Sequence, residues 1–228
     1  MKKSKKIILI ITIILLIILA IFTGIKIYQY KTLEKIGYAI YGKRDTLNYY
    51  YEVKPDSPSD SAVPASKVYV KDNKVRYENL DDNGQTIWIS YSDTDTQSTY
   101  LVYENSKSYS KFDRILIGPG FGNLPSNIII PSLEDEIKFI DKVKLALYVK
   151  SITHEKLNDI DTIKVHYSDK NDFETTWFDA NTLYPVRNES DTYLTNVNYY
   201  MSDCPLSDED MVFTDFDNYE EVIDDEYN

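Results

Sequence analysis

The sequence predicts a mainly β, α+β domain built on a curved antiparallel sheet and preceded by one N-terminal transmembrane helix. Three features carry this. An uncharged apolar run opens the chain, a series of short strand-like segments separated by turn residues follows, and a single amphipathic stretch interrupts them.

The apolar run comes first. Lys2, Lys3, Lys5 and Lys6 precede Ile7–Ile25, in which only Thr12, Thr23 and Gly24 are not apolar and nothing is charged. At 1.5 Å per helical residue it spans roughly 28 Å, close to the ~30 Å hydrocarbon core of a bilayer. Residues 1–6 read as a cytoplasmic basic stub and 7–25 as the anchor. The lysines keep the N-terminus cytoplasmic, so the chain from Lys26 onward is expected outside the cell membrane. A cleaved secretory signal needs a shorter core and a small-x-small site, and the chain after Leu19 offers no convincing one. No cysteine follows the run to carry a lipid.

Residues 1–26 hold five lysines and no acid, leaving 20 basic against 37 acidic residues beyond them. So acidic an outer part argues against nucleic acid or an anionic membrane surface as partner. Cys204 is the only cysteine, so the domain relies on a packed core and not on disulfides. With 21 Tyr and only 7 Gly, composition favours strands and leaves glycine-built cofactor motifs little to work with.

Residues 26–44 form a juxtamembrane segment in which Leu33, Ile36 and Ile40 have helical spacing, either extending the membrane helix or standing alone. The extracytoplasmic domain is placed at 45–202. Asn48–Val53 reads as its first strand, and the Pro- and Ser-rich stretch 55–65 as a loop. From Lys67 to Phe112, five strand patterns alternate with Asp72-Asn73, Asp81–Gly84, Asp93–Gln97 and Asn105-Ser106, the pattern of an antiparallel meander. Arg114–Pro131 carries Gly118, Gly120 and Gly122, whose spacing fits no nucleotide motif. Ser132–Leu147 is the best soluble helix, starting at Ser132 with Asp135 three residues on. Five more strand patterns run from Tyr148 to Met201. The last segment, 203–228, carries eleven acids and no base. Met211–Phe216 is expected to dock or add an edge strand, and the chain beyond Asn218 to be disordered.

Several strands are apolar on both faces. Ile87, Ile89 and Tyr91 lie opposite Trp88, and Phe173 and Trp177 opposite Phe178, where a sheet with one wet face would alternate more cleanly. The hairpin DNGQTIWISY (82–91) resembles a hairpin of the bacterial lipoprotein-carrier family, LolA, LolB and relatives. Residues 65–79 and 98–112 are similar to its flanking strands, and TTWFDANTLYPVRNE (175–189) to its later hairpin. The resemblance covers about two thirds of the outer domain. It implies an unclosed β-barrel with helices on the concave side, a surface that in the family binds acyl chains or hydrophobic lipoprotein segments. The glycine-poor, Ile-, Lys-, Asn-, Asp- and Tyr-rich usage suits a low-GC Gram-positive bacterium.

No catalytic constellation stands out, and the expectation is a protein that is not an enzyme and takes no cofactor. His154 and His166 lie in no metal or nucleophile motif. Asp81, Asp82, Asp93, Asp95 and Asp208–Asp210 carry oxygen ligands, but tight turns demand the same residues. The function expected is a tethered binding or sensing module for a lipid, acyl chain or lipoprotein segment. Its cavity lining is assigned to one alternating face of Ile87, Ile89, Tyr91, Ile163, Val165, Tyr167, Phe173 and Trp177. The alternative is an interaction subunit of an envelope or transport assembly, using sheet edges or the acidic tail to meet a protein partner.

Overall fold

Helix-compatible sequence runs unbroken from the first lysines to Asp45, and in the computed structural model it forms one 44-residue helix, α1 (Lys2–Asp45). The structure describes residues 2–57, 63–117, 139–168, 173–190 and 195–223. Within the apolar run, Thr12 and Thr23 donate their hydroxyls to the Ile8 and Leu19 carbonyls one turn back, so no side-chain donor is left to the surroundings. Its most apolar 18-residue window is wholly unburied by protein. Further along, Leu33, Ile36 and Ile40 are fully buried. The juxtamembrane segment is therefore not a separate unit: it continues the same helix and supplies one stripe of the domain's core. Leu47, at φ +47°, and the bond from its amide to the Arg44 carbonyl end the helix.

The sheet contains β1 (Asn48–Pro55), β2 (Ser66–Lys71), β3 (Lys74–Leu80), β4 (Thr86–Asp93), β5 (Ser98–Tyr103) and β6 (Ser108–Phe112). After helix α2 (Phe139–Tyr148) come β7 (Val149–Leu157), β8 (Ile160–Ser168), β9 (Phe173–Asp179), β10 (Pro185–Ser190), β11 (Thr195–Ser202) and β12 (Glu220–Glu221). Their order is β12-β6-β5-β4-β3-β2-β1-β11-β10-β9-β8-β7, an open, unclosed sheet whose pairs are antiparallel except β12 with β6. The expected helix start at Ser132 and Asp135 and the Gly118–Gly122 stretch lie outside the described residues.

Turn chemistry sets the hairpins. Asp81 accepts from the Asn83 and Gln85 amides, Asp93 from Asp95 and Thr96, and Asp179 from Asn181 and Thr182. These aspartates act as backbone caps. Gly84 takes φ +77° in the first of these turns, a conformation that side-chain-bearing residues rarely adopt.

Side chains opposite each other in antiparallel register share a face, so the pairings sort the whole sheet. One face, the inner, carries Ile163, Val165 and Tyr167, then Phe178, and, across β10, Tyr199 and Met201, Tyr49, Tyr51 and Val53, Val68 and Val70, and Val75. Leu33, Ile36 and Ile40 of α1 and Leu145 of α2 pack on its β7–β9 part, and Val53, Val68, Val70 and Val75 cluster with the tyrosines on its β11–β3 part. Beyond these, the inner side of β4–β6 mixes Ser90, Ser92, Thr99 and Ser110 with Trp88, Leu101, Tyr103 and Phe112, and Thr99 ties residues 114–116 over it through the Arg114 carbonyl and the Leu116 amide.

The outer face is crossed by the C-terminal segment. Met211 packs with Tyr50 and Tyr69, and Phe213 meets Tyr91, Tyr100, Tyr109, Phe216 and Tyr219 ring to ring. Lys43 pairs with Asp203 and Lys71 with Asp208. The expected docking at Met211–Phe216 occurs, but residues 219–223, expected to be disordered, are ordered against the sheet, and the rest of that expectation lies outside the described residues. Glu220 and Val222 take the Lys107 and Tyr109 carbonyls, and β12 closes the β6 edge.

Because the core depends on α1, Leu33→Ala or Ile36→Ala should each cost about 2–5 kcal/mol in urea unfolding, and a chain beginning at Asp45 should not fold, whereas one beginning at Lys26 should. Phe213→Ala should free the C-terminal segment, so that limited proteolysis trims the chain after Ser202 at wild-type sheet content by circular dichroism.

Candidate functional site

Between the two apolar clusters of the inner face, β10 introduces polarity. Its inward residues after Pro185 are Asn188 and Ser190, both buried, opposite Thr176 and Glu174 of β9. The Asn188 amide donates to Glu174 Oε1 and Thr176 Oγ1, each at 2.9 Å. Burial lifts the Glu174 carboxyl to about 7, against the pull of the Asn188 hydrogen bond. Near neutrality it is therefore divided between a proton-donating acid and a carboxylate.

Tyrosines surround this group. Tyr167 lies directly across from Glu174, and Tyr199 is close enough to feel its charge. Tyr51 stacks on Tyr199 with ring centroids 6.1 Å apart. The hydroxyls of Tyr51, Tyr167 and Tyr199 are all held above their ordinary pKa, chiefly by burial. Among the described residues, Tyr51 Oη and Tyr167 Oη are buried with no hydrogen-bond partner. Most buried polar atoms find one, because an unmet one costs about 1–3 kcal/mol.

The polar seam lies at one end of the sheet. Val149, Tyr167, Glu174 and Ser190 stand side by side across β7–β10, and the Val149 carbonyl accepts from Lys26 Nζ at 2.7 Å. Lys26 is the first residue after Ile25, so the seam lies level with the end of the apolar run, about two strand spacings or 10 Å from Val149 at Glu174.

The eight residues read as one cavity face divide between two. Ile163, Val165 and Tyr167 are on the inner face, within the core under α1. Ile89 and Tyr91 pair with Glu78 and Arg76 on the outer face, Ile87 falls in the register shift between Asn79 and Leu80, and Trp177 pairs on the outer face with Lys164 and Phe173 with Ser168. Only Tyr167 borders the seam. The error is one of register: odd-numbered positions of β4 and β9 face opposite ways from those of β8, which pairing alone reveals. Trp177 donates to Glu155 at 2.6 Å beneath Lys164, and His166 bonds Thr175 at 2.9 Å and stacks on Phe173, so both belong to the outer surface. Glu174 and Asn188 were missed. Glu174 and Thr176 share the alternation of Phe178, an acid and a hydroxyl on an apolar-anchored face, and that was the available signal.

No family model and no curated protein matches the sequence. Among solved structures, an uncharacterized conserved protein from Thermus thermophilus aligns over 85% of this chain and 98% of its own, at 7% identity and TM-score 0.46. PNGF-II aligns over 77% of this chain and 31% of its own, at 8% and 0.30. MucB in complex with MucA(peri) aligns over 76% and 57%, at 11% and 0.38. At these values none decides family or activity. The open sheet with helices on one side that the lipoprotein-carrier resemblance implied is present; membership of that family is not established.

Glu174 makes stability pH-dependent. An acid with a raised folded pKa stabilises fully below its unfolded value near 4.5 and loses that contribution as pH rises through about 7. Wild-type Tm should therefore fall between pH 5 and 8. Glu174→Gln should flatten that slope, gaining on the order of 1–2 kcal/mol at pH 8 for a carboxyl that is only partly buried.

Proposed function

We propose that this chain is a membrane-tethered, extracytoplasmic, non-catalytic binding module whose inner face takes a hydrophobic ligand with a polar head, such as an acyl chain, a lipid or a lipoprotein segment. The observation that carries the reading is the buried, unpartnered Tyr167 hydroxyl directly across from Glu174, set between two apolar clusters, with a second unpartnered hydroxyl, that of Tyr51, further along the inner face behind the Tyr199 ring. A head group that both accepts and donates would meet these groups, and its chain would lie on the aromatic and aliphatic surface alongside. The seam's position level with Lys26 favours a ligand that arrives from the bilayer. The protein-binding alternative rests on β7, the outermost strand opposite the β12 edge, which leaves a nine-residue backbone edge for an added strand.

The test uses a chain beginning at Lys26, which retains every α1 side chain of the core, purified without detergent. Native mass spectrometry should find a co-purified lipid or one added fluorescent fatty acid per chain. Glu174→Ala or Tyr167→Phe should weaken fatty-acid binding about fivefold, the worth of one hydrogen bond. No uptake by the folded chain, with binding instead to an immobilised extended peptide and lost on proline substitution in β7, would replace this reading with the alternative.

A further inference from the structure

α2 is apolar on two sides. Leu145 and Ala146 turn into the protein, Leu145 against the α1 core, while Val143, Leu147 and Tyr148 are exposed, Leu147 at 49%. The outward stripe runs beside α1 where the apolar run ends: Phe22, Ile27 and Tyr30 of α1 and Val143 and Leu147 of α2 line a groove of about 340 Å³. From Phe22 to Tyr30 the helix rises about 12 Å, so the groove straddles the level of Ile25, where hydrocarbon gives way to head groups.

Lysines ring its upper rim. Lys26 and Lys142 line it, with Lys142 Nζ over the Tyr30 ring at 5.6 Å. Lys26 Nζ uses two of its donors on Gln29 Oε1 and the Val149 carbonyl, both neutral, and the Lys150 ammonium adds to the positive field there. None of the three has an acidic partner among the described residues, in a chain with 37 acids to 25 bases. An apolar slot at hydrocarbon depth capped by ammonium groups at head-group depth fits one class of occupant.

We infer that the α1–α2 groove is a binding site for an anionic phospholipid of the surrounding bilayer, its acyl chain along Phe22, Val143 and Leu147 and its phosphate between Lys26, Lys142 and Lys150. This rests on the membrane-anchor part of the proposed function and concerns a different surface from the inner-face seam. α2 is then an interfacial helix, lying flat where its apolar stripe meets lipid.

The full-length chain, extracted in mild detergent with equimolar phosphatidylglycerol and phosphatidylcholine, supplies the test by native mass spectrometry. Wild type should retain phosphatidylglycerol over phosphatidylcholine. Each substitution, Lys142→Gln or Lys150→Gln, should cut that preference about fivefold, and Leu147→Ser should lower retention of both lipids. Equal retention by wild type, or an unchanged preference in the double lysine variant, overturns the inference and leaves fatty-acid binding by the Lys26 chain untouched. Release of the full-length chain from membranes by alkaline carbonate overturns it together with the anchor.

Discussion

Everything in this protein depends on α1 being one rigid helix in two surroundings. From Lys6 to Ile25 its side chains face outward on all sides, a surface that only hydrocarbon would match; from Leu33 to Ile40 one stripe is sealed in the sheet's core. The two halves share an unbroken backbone ladder, so no hinge separates the sheet from the apolar run. Lys26 adds a clamp by donating to the Val149 carbonyl at the start of β7. A domain on a flexible linker samples every orientation, whereas this one is held with one chosen end toward the apolar run.

That end is where the inner face is least settled. Away from it, the inner surface of β1–β3 closes with Val53, Val68, Val70 and Val75 around Tyr49 and Tyr51. Near it, Glu174, Asn188, Thr176 and Ser190 sit among buried tyrosines. A core built for stability alone would replace such a seam with aliphatic side chains at little loss, since half-satisfied buried networks cost more than apolar packing. Its persistence at the membrane-level row is the physical reason to read it as a site.

Strand positions were legible in the sequence because each is bounded by a residue that enforces a turn, such as Asp81, Asp93 or Asp179, and eleven of the twelve lie where alternation puts them. The membrane run was equally plain. What alternation could not supply was the phase between distant strands. Ile89 and Ile163 look alike within their own strands, and only the chain of pairings from β4 through β1 and β10 to β8 shows that they face opposite ways. The bulge between Pro185 and Arg187 shifts that phase by one residue, a change invisible in composition. β12 escaped for another reason: two glutamates make a poor strand by propensity, and they pair because Phe213, Phe216 and Tyr219 bring them to the β6 edge.

The charge of the outer part gains a different meaning once placed in space. A net excess of acids argues against an anionic surface only if the acids face it. Asp203 pairs with Lys43 and Asp208 with Lys71, both at the end of the sheet where α1 stops. Lys43 is 17 residues beyond Lys26, roughly 26 Å along the helix axis, or about three Debye lengths at physiological salt. Exposed ion pairs of this kind contribute little stability, so the aromatic contacts of Met211–Tyr219 hold the segment, and its charges are carried where those contacts put them. Lys26, Lys142 and Lys150, which have no acidic partner among the described residues, lie at the opposite end, beside Phe22 and Val149. The excess of acids over the whole outer part therefore does not by itself set the charge beside the apolar run, where Lys26, Lys142 and Lys150 stand.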